Sequence, residues 1–113
     1  MVDPHSLLPL SPARFHALVA LSGGELHGYA IMRAVEESSR GQVKMGPATL
    51  YGTLKKLVES GLVEEIDHSN DSDDQRRRYY RLTRLGSRVC MAESDRLSEL
   101  VRVARANLGP VTA

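Results

Sequence analysis

Residues 45–62 have the sequence MGPATLYGTLKKLVESGL, which contains the signals of one complete helix. Gly46 can act as the N-cap, and Pro47 takes the first helical position, where a missing N–H costs nothing. Gly61 suits the left-handed C′ position that closes the last turn. Between these ends, four apolar side chains recur at helical spacing, namely Leu50, Leu54, Leu57 and Val58. The segment is therefore predicted to be an amphipathic helix with this stripe facing inward.

The opposite face of this helix is small and basic. It carries Ala48, Gly52, Lys55 and Glu59, with Thr49 and Lys56 on one flank and Tyr51 on the other. Small residues, hydroxyl groups and two lysines favour a close approach to a polyanion such as nucleic acid. An ordinary amphipathic surface helix has a similar pattern, so the segment alone leaves both interpretations open.

Length and composition are those of one globular domain, with 113 residues of which 42% are hydrophobic and 26% charged. No apolar run reaches the roughly 20 residues of a membrane span, and the N-terminus lacks the pattern of a secretory signal. The single cysteine, Cys90, excludes an internal disulfide, and we expect it to be buried in a helix, with redox sensing as the alternative. These features predict a cytoplasmic protein without membrane association.

The net charge of +1 hides a strong segregation of charge along the chain. Residues 64–74 contain six acids and no lysine or arginine, whereas residues 76–88 contain six arginines and no acid. Local charge, more than net charge, therefore favours a polyanionic partner.

Two further helices are predicted before the central segment. Ser11-Pro12 starts a helix that Gly23-Gly24 ends, and a second helix runs from His27-Gly28 to about residue 40, with Gly41 in the left-handed C′ position. Residues 1–10 are predicted to be an extended lead-in. Three successive helices with short connections are typical of a helix-turn-helix.

A β-hairpin is predicted directly after the central helix. Residues 62–68 and 77–82 have the composition of short strands, and the polar residues 69–75 join them. A hairpin at this place is a wing, in which Tyr80 and Leu82 would share a buried face. The predicted fold class is mainly α (α+β), with a winged helix-turn-helix over residues 11–82, and this order favours DNA binding over an ordinary surface helix.

A long C-terminal helix is predicted for residues 83–108, with Thr83 as its cap and residues 109–113 as a tail. At 1.5 Å per residue it would be about 37 Å long, more than a small winged-helix core can cover. Its apolar stripe is predicted to pack against a second copy, and folding back on its own domain is the alternative. The predicted dimerisation residues are Phe15, Val89, Leu97, Leu100, Val101, Ala104 and Leu108.

Four segments resemble the PadR family of bacterial transcriptional regulators. They are HGYAI at 27–31, TLYGTLKKL at 49–57, ESGLV at 59–63 and RYYRLTRLG at 78–86. Each segment alone is weak evidence for the family, but the four segments in this order and at this spacing are specific for it. The similarity covers about residues 8–108. The chain resembles the short subclass of the family, whose C-terminal part is a single long helix.

The resemblance implies a dimer that binds a pseudo-palindromic operator in double-stranded DNA, usually as a repressor, and that a small-molecule inducer often releases. The positions that match the family's recognition helix and wing are Pro47, Thr49, Tyr51, Lys55, Arg77, Arg78 and Tyr80. Three features depart from the family pattern. Asp71 to Asp74 make the wing tip unusually acidic, no proline lies among the wing arginines, and tryptophan is absent, so an aromatic ligand sandwich is not expected.

The predicted DNA-binding residues combine the outer face of the central helix with the arginine run: Pro47, Ala48, Thr49, Tyr51, Gly52, Lys55, Lys56, Arg76, Arg77 and Arg78. For the lysines the alternative is simple solvation, and for the arginines it is neutralisation of the acidic loop. An effector cleft is predicted between the first and last helices, at Phe15, Val89, Leu97 and Val101, with apolar dimer packing as the alternative.

The sequence offers no catalytic or metal-binding pattern. The four histidines have no ligand spacing, and the chain lacks a nucleophile elbow, a phosphate-binding glycine loop and a paired catalytic constellation. We therefore predict no enzyme activity, no cofactor and no metal. The predicted function is DNA-binding transcriptional regulation. The alternative is a winged-helix protein–protein interaction module without sequence-specific DNA binding.

Overall fold

The computed structural model of the chain describes residues 2–67 and 78–110, which contain four α-helices and three short strands. The helices are Pro12–Leu21 (α1), Gly28–Ser38 (α2), Pro47–Glu59 (α3) and Arg84–Leu108 (α4). The strands are Leu26–His27 (β1), Val63–Ile66 (β2) and Tyr79–Leu82 (β3). This architecture confirms the predicted fold class, which is mainly α with a small antiparallel sheet and a long last helix.

The ends of α3 form as its end signals predict. Gly46 is the N-cap and Pro47 the first helical residue. Gly61 has a φ of 77°, and the N–H of Leu62 donates to the carbonyl of Leu57 across 3.0 Å, which closes the helix with a Schellman motif. The positive φ is the conformation that only glycine adopts without strain.

The inward face of α3 differs from the predicted stripe by one residue. Leu50, Leu54 and Leu57 are buried, but Val58 is 38% exposed and Thr53 is buried in its place. At about 100° per residue, Thr53 lies beside Leu57 on one edge of the leucine stripe, whereas Val58 lies beyond the other edge. The buried stripe is therefore shifted toward Thr53.

The second helix ends earlier than predicted. α2 stops at Ser38, and Arg40 takes the left-handed C′ position with a φ of 54°. Its N–H donates to the carbonyl of Glu37 across 3.1 Å, and the N–H of Gly41 donates to the carbonyl of Glu36 across 2.8 Å. Gly41 is left-handed as predicted, with a φ of 78°, but it follows the C′ position, so the predicted position was wrong by one residue.

The lead-in at residues 1–10 was predicted to be extended, which is wrong for Pro4–Leu7. These residues form a 3-10 helix in which Asp3 caps the start by accepting the N–H of His5 at 2.9 Å. Pro4 is buried at the first helical position, where its φ is already suitable. This short helix packs against α4.

The sheet has three strands rather than the two of a simple hairpin. β3 lies in the middle, antiparallel to both β1 and β2, with Leu26 opposite Tyr80 and Glu65 opposite the same residue from the other side. The wing strands are shorter than predicted, since β2 ends at Ile66 and β3 begins at Tyr79. Tyr80 is buried, as predicted.

The two halves of α4 have different surroundings. Its first half packs on the winged-helix core through its buried residues, which are Gly86, Val89, Cys90, Ala92 and Glu93. Every residue from Ser98 to Leu108 is exposed. The helix therefore extends beyond the core, as its length predicts, and only its first half folds onto its own domain.

Two residues of the first half of α4 bear on earlier predictions. Val89 is fully buried in its own domain, so its predicted role in a dimer interface and an effector cleft is wrong. Helical spacing places Val89 on the same side of α4 as Leu100, but the core covers only the first half of the helix. Cys90 is also buried, and burial raises the pKa of its thiol, which favours the packing role over redox sensing.

The start of α4 is joined closely to the end of α3. The Thr83 side chain accepts the N–H of Gly86 at 2.9 Å and donates to the carbonyl of Gly61 at 2.6 Å, while the Thr83 N–H donates to the carbonyl of Leu62 at 3.0 Å. A Cβ on Gly86 would lie only 1.9 Å from the Leu62 carbonyl oxygen. Only glycine at position 86 allows the α4 backbone to lie this close to the Leu62 carbonyl.

We therefore expect Gly86→Ala to lower the free energy of unfolding by about 2 kcal/mol or more, because two backbone segments must separate to admit a methyl group. The measurement is urea denaturation followed by circular dichroism. Gly52→Ala is the matched control, since a Cβ added at Gly52 would meet nothing within 4 Å and alanine favours a helix interior. Equal stability of the two variants would contradict this account of Gly86.

The N-terminal segment is tied to α4 through a buried carboxylate. Glu93 is 1% exposed, and its Oε2 atom accepts the N–H of Leu10 at 2.8 Å and a guanidinium N–H of Arg96 at 3.2 Å. The hydrogen bonds from Arg96 lower the pKa of Glu93, and the Leu10 amide adds to this effect against the opposing effect of burial.

We expect Glu93→Gln to destabilise the fold by about 1–2 kcal/mol near pH 7, because the charge-assisted bonds are lost. Since the folded-state pKa is lowered, this contribution is present above the ordinary value of 4.5 and disappears as the pH falls through the lower folded-state value. Denaturation curves at several pH values measure it. Glu99→Gln, in an exposed pair with Arg102, is the control and should leave stability unchanged; a constant difference between wild type and Glu93→Gln down to low pH would contradict this role.

Candidate nucleic-acid interface

The side of α3 opposite the leucines is open to solvent. We define the outward face of α3 as its seven predicted DNA-binding residues, all of which are exposed: Pro47, Ala48, Thr49, Tyr51, Gly52, Lys55 and Lys56. Neither lysine forms an ion pair within the described part of the chain. The acidic residue that α3 carries is Glu59, in its last turn. The structure therefore brings these seven residues together on one accessible surface.

Packing of the opposite side holds this surface outward. Leu50, Leu54 and Leu57 are buried beneath α1 and α2, both of which contact α3. Burying three leucines contributes on the order of 5 kcal/mol, so the helix cannot rotate the outward face inward without losing this energy. The amphipathic pattern of one segment thus determines which side chains a partner can reach.

Tyr51 lies where the outward face meets the start of α2. A Cβ on Gly28 would lie 2.4 Å from the Tyr51 hydroxyl oxygen, so the tyrosine ring rests on the first turn of α2 at a glycine. The Tyr51 side chain nevertheless remains 47% exposed. The hydroxyl end of Tyr51 therefore packs against α2, while part of the side chain stays accessible to a partner.

The first turn of α2 adds a second tyrosine that the sequence pattern did not single out. His27 caps α2 by accepting the N–H of Ala30 at 3.3 Å, and its ring lies 6.5 Å from Tyr29 and 5.6 Å from Tyr79. These contacts join α2 to wing strand β3. Tyr29 is 62% exposed and follows Gly28, on which Tyr51 rests. In the sequence it lies within the HGYAI segment, which indicated only the family resemblance.

The wing arginines within the described residues have carboxylate partners. Arg78 lies 3.6 Å from Glu65, between Nε and Oε1, and Arg81 pairs with Glu64 on the neighbouring strand. Arg78 thus pairs with an acid of strand β2, whereas the predicted alternative concerned the acidic loop, which lies outside the described residues. Arg76, Arg77 and the acidic residues 71–74 lie outside the described residues.

The predicted dimerisation residues lie on two helices that contact each other, α1 and α4. Phe15 and Leu97 are half-buried, and Phe15 packs against the hydrophobic core. The remaining accessible members lie farther along α4 and are exposed: Leu100, Val101, Ala104 and Leu108. Leu100 is 56% and Leu108 is 74% exposed, a large apolar surface for a helix without a partner.

The described residues offer neither a metal site nor a membrane span. No group of three or more His, Cys, Asp or Glu side chains there could hold a metal ion. Within residues 2–67 and 78–110, no helix combines the length and apolar character that crossing a membrane requires.

Comparison with protein families gives one match that covers most of the chain. The model of the transcriptional regulator PadR-like family matches residues 17–92. The chain is 33% identical over 89 residues to the transcriptional regulator Rv3488 of Mycobacterium tuberculosis, which covers 79% of this chain and 78% of that protein. It is also 34% identical over 88 residues to an uncharacterized 37.1 kDa protein in transposon TN4556 of Streptomyces fradiae, of which it spans only 24%.

Solved structures show the same fold. A PadR family transcription regulator from Clostridium difficile R20291 has a TM-score of 0.74 at 21% identity, covering 88% of this chain and 100% of that one. A transcriptional regulator from Clostridium thermocellum, Cth-833, has a TM-score of 0.70 at 19% identity, covering 87% of this chain and 97% of that one. These likenesses support the winged-helix fold, and the family match confirms the resemblance seen in the sequence. The chain belongs to the PadR-like family of transcriptional regulators, which are DNA-binding proteins and not enzymes.

Proposed function

We propose that this regulator binds operator DNA as a homodimer and acts as a repressor, with α3 of each copy in the major groove. The observation that carries the proposal is the division of α3 into a buried leucine side and an exposed outward face, whose two lysines have no ion pair among the described residues. An α-helix with its side chains is about 10–12 Å wide, which matches the roughly 12 Å width of the major groove.

The composition of the outward face suits this placement. Ala48 and Gly52 keep the centre of the face small, which allows the helix to approach the base edges closely. The Thr49 hydroxyl near the helix start is suited to a base edge or a phosphate, because N-terminal residues of a recognition helix commonly contact the bases. Lys55 and Lys56 provide the positive charge that phosphates require.

The wing is proposed to contact the DNA backbone through Arg76, Arg77 and Arg78. The Arg78 pair with Glu65 is exposed on both sides, and pairs of this kind contribute only about 0–1 kcal/mol. A phosphate can therefore replace the carboxylate at low cost. In the absence of DNA the pair limits repulsion among neighbouring arginines.

The second half of α4 supports the dimer part of the proposal. An exposed apolar stripe on one helix is self-complementary when two copies pack about a two-fold axis. Two-fold symmetry in the protein corresponds to a pseudo-palindromic operator, with α3 helices in half-sites separated by one or more helical turns.

Repression follows from occupancy, because a dimer on its operator excludes other proteins from the DNA it covers. We also infer that a small-molecule effector acts between the copies, near Phe15, Leu97 and Val101, where α1 and α4 are accessible. Val89 has no place in such a cleft because it is buried in its own domain. The cytoplasm, where bacterial DNA is found, is the proposed location.

The competing function, a protein-interaction module, makes a different prediction in one experiment. A gel shift against duplexes selected from a random DNA pool, at two salt concentrations, should show a selective shift that weakens at high salt. No shift at low salt would overturn the proposed function in favour of the interaction module. The selection also returns the spacing of the half-sites.

Lys55→Ala should weaken DNA binding and flatten the plot of log affinity against log salt by about 0.9, the value for one lost phosphate contact. Fluorescence anisotropy over a salt series measures both quantities. Lys44→Ala is the matched control, because Lys44 lies outside α3 and Glu36 is 3.8 Å from its ammonium group. An unchanged slope for Lys55→Ala would exclude Lys55 as a phosphate contact.

Leu100→Glu should convert the dimer to a monomer in sedimentation velocity while its helix content stays the same, because Leu100 is exposed in the single chain. A carboxylate placed in an apolar interface near its own symmetry mate costs several kcal/mol. Ala106→Glu is the control, since Ala106 is also exposed but lies on the side of α4 opposite the apolar stripe. Monomeric wild type, or a dimer that survives Leu100→Glu, would contradict the proposed interface.

A further inference from the structure

A cleft of about 580 Å³ lies between the start of α1 and the outward face of α3. One wall consists of α3 residues, namely Ala48, Thr49, Gly52, Thr53 and Lys56. The other wall consists of residues before and within the first turn of α1, namely Pro9, Ser11, Ala13 and Arg14. The cleft therefore shares a wall with the proposed DNA-reading face, while its second wall comes from a helix for which no DNA contact was predicted.

The charges that line the cleft are all positive. Arg14 stands on one wall and Lys56 on the other, and none of the described acidic residues lines it. Arg14 is half-buried, and its side chain forms no ion pair with the described residues, whereas Arg96 and Arg102 on α4 each pair with a glutamate one turn away. A guanidinium without a counter-charge among the described residues is available for an external anion.

The position of the cleft beside α3 suits one kind of anion. When a helix fills the major groove, the two sugar–phosphate backbones run along the edges of that groove, on either side of the helix. The cleft lies along one side of α3, between this helix and the start of α1. A guanidinium also matches two phosphate oxygens with parallel hydrogen bonds, and an ammonium group adds a point charge.

We propose that this cleft binds a backbone phosphate of the duplex, with Arg14 donating to its oxygens and Lys56 contributing the second charge. The proposal rests on the proposed function, because it requires α3 to lie in the major groove. It adds an anchor from α1 that is independent of the wing. A phosphate contact of this kind fixes the position of the protein on the duplex and does not select sequence.

The test compares variants of the 113-residue chain on two fluorescein-labelled duplexes, one of mixed sequence and one selected from a random pool. Arg14→Gln should weaken binding to both duplexes by about tenfold at low salt, and reduce the salt slope by about 0.9. Arg14→Lys retains the charge, so it should keep the slope while losing part of the affinity. Arg33→Gln is the matched control, because Arg33 is exposed on α2, pairs with Glu37 at 3.8 Å and does not line the cleft.

The outcomes separate this proposal from the function on which it rests. If Arg14→Gln keeps the wild-type slope while Lys55→Ala flattens it, the cleft proposal is overturned and the DNA-binding function stands. If wild type binds neither duplex, both fail. A change in the dimer dissociation constant of Arg14→Gln without a change in slope would assign the cleft to the second copy and overturn the proposal. If Arg14→Gln does not fold, Arg14→Met, which keeps the length and the apolar stem of the side chain but not its charge, carries the same expected loss of slope.

Discussion

The contact between the end of α3 and the start of α4 is the constraint on which the rest of this molecule depends. Thr83 bonds to the carbonyls of Gly61 and Leu62, and Gly86 packs against the Leu62 carbonyl with no room for a side chain. Hydrogen bonds and close packing at one point leave little freedom between the two helices. Because α3 carries the proposed DNA contacts and α4 the proposed dimer contacts, the geometry of the dimer would be transmitted directly to the spacing of the two α3 helices.

This arrangement would give the proposed effector a physical route to the DNA. A molecule that binds between two copies and changes the angle of α4 would move each α3 with it, because Thr83 and Gly86 hold α4 against Gly61 and Leu62 at the end of α3. Operator half-sites repeat at helical-turn spacing, so a small rotation at the dimer axis is enough to misplace one recognition helix. Such an effector needs only to bind one dimer geometry more tightly than the other, and it does not have to contact α3 directly.

Local signals in the sequence predicted the parts of the fold that local physics controls. The caps of α3 and α4 depend on Gly46, Gly61 and Thr83, each within a few residues of the backbone group that it satisfies, and all three were predicted. β1 was missed because a two-residue strand has no periodicity, and only its pairing with β3 defines it. Val89 was misplaced for a related reason, because helical spacing groups it with the apolar residues of α4 but does not show where the domain beneath α4 ends.

The candidate site shows the same division between local and tertiary information. The outward face of α3 was predictable because one helix supplies all of it, and a periodic leucine stripe identifies its opposite side. Arg14 was not predictable, because it reaches this surface only through the packing of α1 against α3, and nothing in its own neighbourhood distinguishes it from a solvated arginine. A surface made by several elements contains residues that are distant in sequence. In this chain the residue that α1 adds to the surface of α3 is the basic Arg14. The modest net charge of +1 therefore understates the interface, because acids paired with arginines elsewhere offset the basic side chains beside α3, which have no ion pair among the described residues.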